Sequence, residues 1–89
     1  MELHEVDYKV PGGKLIRLKA ELEGDRIKAI VINGDFFLHP EDSIFNLEKA
    51  LLGKRLDKYL LSIVEKELSG CQMVGISSEE IVKALMLLK

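Results

Sequence analysis

The sequence predicts an α+β fold: a three-stranded antiparallel meander followed by about three helices packed on the sheet. Two observations carry this. The first third of the chain alternates apolar and charged residues with a period of two, interrupted by two short turn signals. The second half changes to apolar positions three and four apart, punctuated by glycines. The 89 residues read as one domain, 1–89, and the start at Met1 reads as that of a complete small polypeptide. A chain of this size buries only roughly 60–65% of its unfolded surface, which makes a partner a natural source of further stability.

In residues 2–10, Val6, Tyr8 and Val10 share one face and Glu5, Asp7 and Lys9 the other. Pro11-Gly12-Gly13 is a turn signal, since proline fixes φ and glycine tolerates positive φ. Residues 14–23 put Ile16, Leu18, Ala20 and Leu22 opposite Arg17, Lys19, Glu21 and Glu23. Gly24-Asp25 is the second turn, and residues 26–33 the third strand. Two short connections between three strands imply antiparallel pairing.

The third strand departs from the pattern. Whichever of Ile27, Ala29, Val31 or Ile30, Ile32 faces the core, the other set is apolar too, and Leu3 and Leu15 add to the charged faces of the first two strands. A water-facing side of an antiparallel sheet is normally polar. Either the chain's own helices cover both sides of this strand, or another protein does.

Ser43 is positioned to cap a first helix with Ile44, Leu47, Leu51 and Leu52 on its apolar stripe, ending at Gly53. A second helix is expected near 55–69, carrying Leu56, Tyr59, Leu60, Ile63, Val64 and Leu68 and stopped by Gly70. Residues 71–76 are a connector or short strand. Ser77-Ser78-Glu79-Glu80 is a capping box for a third helix, with Ile76 and Ile81 placed as a hydrophobic staple.

Composition excludes several functions. Thirteen basic against 15 acidic residues, interspersed, give no field for a phosphate backbone, so no nucleic-acid partner is expected. The acidic first residues and the lack of any apolar run near 18 residues argue against a signal peptide or a membrane span. One cysteine, Cys71, excludes an internal disulfide and suits a reducing, cytoplasmic setting. His4 and His39 have no second ligand at metal spacing. Cys71 lacks a histidine or helix start that would activate it and reads as a structural thiol. Glu41, Asp42, Glu79 and Glu80 suit helix starts, where carboxylates complement the dipole. Pro11-Gly12-Gly13-Lys14 joins two strands, whereas a phosphate loop feeds a helix. No Ser/His/Asp set is available as a nucleophile relay.

Phe36 and Phe37 raise the remaining question, because neighbours on an extended segment point to opposite faces. One ring is expected to anchor the helices on the sheet and the other to reach a partner or a second layer. Gly34 permits a close backbone approach, and Asp35 can tie the following loop.

The chain resembles a known family in these same segments. Gly13-Lys14 in the hairpin turn, Gly34-Asp35-Phe36-Phe37 closing "GDRIKAIVINGDFF", the run Leu47-Glu48-Lys49-Ala50-Leu51-Leu52-Gly53 and the downstream Gly75, Ile76, Ser77, Glu79, Glu80, Ile81 follow the order seen in the C-terminal domain of lipoate–protein ligases. The resemblance runs from about residue 5 onward. It implies a non-catalytic accessory subunit that joins a large catalytic chain as a heterodimer. ATP and lipoate would sit on that large chain, with no cofactor, catalytic residue or metal on this one. Lipoyl-AMP formation, and hence lipoylation of lipoyl domains, would depend on the pair. The expected partner interface comprises Leu15, Ile30, Ile32, Gly34, Asp35, Phe36 and Phe37. A self-associating structural module is the alternative, and a metal–sulfur scaffold would need several thiolates.

Overall fold

A computed structural model describes residues 2–89. Strands β1 (Glu2–Lys9), β2 (Leu15–Glu23) and β3 (Arg26–Gly34) pair antiparallel in chain order, as the alternation predicts. On β2, Ile16, Leu18, Ala20 and Leu22 are buried and Arg17, Lys19, Glu21 and Glu23 exposed.

The ambiguity of β3 resolves through a bulge. Glu21 lies opposite Ala29, but the next residue, Leu22, lies opposite Ile27, so Lys28 is an extra residue on β3. That insertion reverses the side-chain parity. Ile27 before it and Ile30 and Ile32 after it all reach the same core, while Lys28, Ala29 and Val31 face outward.

The outer face is polar apart from Leu3, half-buried Leu15, Ala29 and Val31. Cross-strand pairs cover it: Asp7 lies opposite Arg17 with 3.6 Å between the charged groups, and Glu5 opposite Lys19 at 4.0 Å. Exposed pairs of this kind contribute little to stability, but they keep the face hydrated.

The free side of β3 is partly closed. Ile27 donates its N–H to the Lys54 carbonyl and accepts from the Gly53 N–H, at 2.9 and 2.7 Å. Ile32 donates to Glu48 Oε2 at 2.7 Å. A loop and one carboxylate thus occupy groups that an edge strand otherwise leaves open.

Beyond β3 the chain forms β4 (Phe37–His39), α1 (Asp42–Leu51), α2 (Leu60–Glu67), β5 (Gln72–Val74) and α3 (Ser78–Met86). Leu47, Leu51, Leu60, Val64, Ile81, Ala84 and Leu85 close the core against the inner face of the sheet.

Three helix-end expectations change. The first helix begins at Asp42, after Glu41, with no side-chain cap. Ser43 is instead buried inside it, accepting a hydrogen bond from the Cys71 thiol at 3.0 Å. That bond satisfies both polar groups, and so the serine serves packing before capping. The second helix starts only at Leu60, because Leu56 is held in a loop by its N–H bond to the Asp25 carbonyl. Leu52 and Tyr59, placed on apolar stripes by spacing, are exposed. At α3 half of the capping box forms: Ser77 Oγ accepts from the Glu80 N–H at 3.3 Å. The Glu80 carboxylate turns away to accept the Tyr8 hydroxyl at 2.6 Å, tying β1 to α3.

Candidate partner interface

β3 ends in a corner built by Gly34 and Asp35. A Cβ on Gly34 would collide with the Leu15 carbonyl oxygen and lie 3.0 Å from the Phe36 ring, at a φ of +155°. Only glycine lets the two strands close here. Asp35 then grips Leu15 by both backbone groups: its Oδ1 accepts the Leu15 N–H at 2.7 Å, and its own N–H donates to the Leu15 carbonyl at 3.3 Å. The carboxylate extends the β2–β3 ladder by one rung.

The turn parts the two phenylalanines. Phe36 is half-buried and packs against the core. Phe37 is 51% exposed. It begins β4, which pairs antiparallel with β5 to make a two-stranded ribbon with Phe37 opposite Val74, Leu38 opposite Met73 and His39 opposite Gln72. Leu38 and Met73 face the core. The outer face carries Phe37, Val74 at 58% exposure, and His39, whose ring stacks with Phe37 at 6.4 Å and 7°. Between ribbon, β3 and α1 lies an open cavity of about 230 Å³ lined by Ile32, Gly34, Phe36, Phe37, Glu41 and Ile44 among others.

The expected interface therefore divides. Gly34, Asp35 and Phe37 are exposed, and Leu15 and Phe36 are half-buried. Ile30 and Ile32 are 7% and 3% exposed and belong to the chain's own core, and of the two only Ile32 touches the cavity. The Lys28 bulge turned them inward, which the strand's sequence alone does not reveal. Val74 and His39 were not among the residues expected at the interface, since strands of three residues carry too little alternation to declare a face.

The family model described as bacterial lipoate protein ligase C-terminus matches residues 4–85. The chain belongs to the lipoate protein ligase C-terminal family. A relative, lipoate-protein ligase A subunit 2 from Thermoplasma acidophilum, is 39% identical over 83 residues, covering 93% of this chain and 87% of its own length. A chain in the solved structure of a bipartite lipoate protein ligase and its E2 lipoyl domain, also from Thermoplasma acidophilum, superposes with a TM-score of 0.83. It is 35% identical, with 94% of each chain covered. Family membership fixes the setting in which the corner is read: relatives of this chain serve as one subunit of a ligase.

Within the family fold, the described residues include no group of three or more His, Cys, Asp or Glu placed to hold a metal ion. Three carboxylates near the corner and the last helix are engaged in structure: Asp35 with Leu15, Glu48 with Ile32, Glu80 with Tyr8. The Glu80 hydrogen bond, partial burial and the carboxylate's charge, in that order, raise the Tyr8 phenol above its ordinary pKa of 10.0. No described helix is long and apolar enough to cross a membrane.

Proposed function

We propose that this chain is the accessory subunit of a two-chain lipoate–protein ligase. It binds a large catalytic chain that holds ATP and lipoate, carries no cofactor itself, and is required for ATP-dependent activation of lipoate to lipoyl-AMP. Lipoylation of lipoyl domains in the cytoplasm then depends on the pair. The observation that supports this most is the nearly end-to-end correspondence with subunit 2 of a ligase, at 39% identity. A corner whose carboxylates bond to backbone groups suits positioning better than proton transfer. Holding another chain's loops in reactive geometry is a sufficient contribution, since misplacement by about 1 Å can cost roughly a hundredfold in rate.

Lipoate-dependent ATP–pyrophosphate exchange tests the reading. The chain alone should give no exchange, the large chain alone little, and the two together full activity. Exchange by this chain alone, or full exchange by the large chain without it, overturns the assignment.

A further inference from the structure

We propose that the outer face of the β4–β5 ribbon and the cavity beside it form the docking surface for the large ligase chain, and that the segment docked there carries an apolar side chain flanked by lysine or arginine. The inference rests on the accessory-subunit reading and adds to it the surface and the chemistry of its partner.

Three features converge on this surface. The first is shape and polarity: the cavity of about 230 Å³ has Ile32, Phe36, Leu38 and Ile44 in its lining, with Phe37 at its rim. A well-packed apolar side chain with an aromatic rim is the usual centre of a strong interface. The second is the exposed pair of Phe37 and Val74, which lie opposite each other on adjacent strands, 51% and 58% exposed. The third is charge. From Ile32 to Glu48 the chain carries Asp35, Glu41, Asp42 and Glu48 and neither lysine nor arginine. Lys49, which follows, lies over the Phe45 ring at 4.5 Å, and Arg17, across the sheet from Asn33, pairs with Asp7. Of the four acidic residues, Glu41 lines the cavity, exposed Asp35 and Asp42 are chain neighbours of lining residues, and Glu48 is held by the Ile32 N–H. Acidic groups beside an apolar socket are complementary to an apolar anchor with basic neighbours. The outer face of the meander lacks this arrangement, since ion pairs of both signs separate Leu3 and Val31 from any larger apolar area.

The test measures affinity between the purified chain and its cognate large chain by calorimetry at about 0.05 and about 0.5 M salt, which spans strong and weak screening. Phe37→Ala should raise the Kd by about 30-fold or more, as for a central anchor. Val74→Lys, on the same face, should do likewise, so that the conclusion does not hang on one variant. The double variant Glu41→Lys, Asp42→Lys should weaken binding and flatten its salt dependence. Leu3→Lys with Val31→Lys, on the other face, should bind within about twofold. Circular dichroism and thermal unfolding of each variant separate lost docking from lost folding. Binding of Phe37→Ala and Val74→Lys within about twofold of the unaltered chain overturns the proposal. So does a loss confined to the Leu3, Val31 variant. A homodimer dissolved by Phe37→Ala, or a lipoyl domain competing for this face, assigns it another occupant and equally overturns it. If the unaltered chain fails to bind the large chain at all, the ligase reading falls as well.

Discussion

The meander and the ribbon are both antiparallel, yet they use their strands in opposite ways. The meander commits one face to the core and clothes the other with charges, and its β3 edge is occupied by Lys54, Gly53 and Glu48. The ribbon spans three residues per strand, sends only Leu38 and Met73 inward, and leaves Phe37, His39 and Val74 outside. A two-stranded ribbon is marginal by itself and depends on what it packs against. The difference teaches where to look for function in a small accessory chain: in the element whose outer face has no charges over it.

Replacing one buried residue at the end of β3 is the harshest way to test that division. Ile32→Asp puts a carboxylate into a site 3% exposed. The expected loss is at least about 4 kcal/mol, a large share of the roughly 5–15 kcal/mol that holds a domain together. Circular dichroism should show a largely unfolded chain. Leu15→Lys, at the half-buried position beside Asp35, should remain folded. If Ile32→Asp folds and Leu15→Lys does not, core and surface have been assigned the wrong way round.

The adjacent rings sharpen the same comparison on a smaller scale. Phe36→Ala should cost about 2–3 kcal/mol, somewhat below the range for a fully buried ring, because Phe36 is half-buried. Phe37→Ala should stay within about 0.5 kcal/mol, as exposed substitutions usually do. Denaturant midpoints of the two variants measure this. Equal losses would mean that both rings serve the core and that the ribbon face is no freer than the meander's.

How much of this was legible depended on whether the cause was local. The alternation of β2 and the spacing of α3 are properties of consecutive residues, and both elements stand where the pattern places them. The inward turn of Ile30 and Ile32 was not legible, because Ala29-Ile30-Val31-Ile32 has no polar residue to mark parity and the bulge at Lys28 is set by pairing with β2. Ser43 was misread because its partner, Cys71, is 28 residues away. The corner at Gly34 was recognisable from its residue types, but the exposure of Phe37 follows from β5 arriving beside β4.

Gly34→Ala probes the corner that joins the two regions. A methyl there meets the Leu15 carbonyl, so β2, β3 or the Phe36 ring must move. The expected cost is roughly 1–3 kcal/mol, the scale of a strained backbone site. If the corner sets the ribbon's pose, assembly with the large chain should weaken as well, while Phe37→Ala weakens assembly alone. Thermal unfolding and calorimetry on both variants separate the two patterns.

The smallest expected effect concerns a long-range side-chain bond that ties the meander to the last helix. The Tyr8 hydroxyl donates to Glu80, and that bond holds the phenol in its neutral form, above an ordinary pKa of 10.0. A group whose folded pKa is raised contributes stability that is fully present below its unfolded value and fades as pH rises through the folded one. The Tyr8–Glu80 tie should therefore be intact at neutral pH and loosen only in alkaline solution above 10.0. The chain has two tyrosines, so a Tyr59→Phe background leaves Tyr8 alone to be followed by phenolate absorbance. Glu80→Ala in that background should bring the midpoint down towards 10.0 by removing the acceptor and its charge together. An unchanged midpoint would mean that the tie does not hold in solution. The meander and α3 would then meet only through apolar packing, as the ribbon meets the core through Leu38 and Met73.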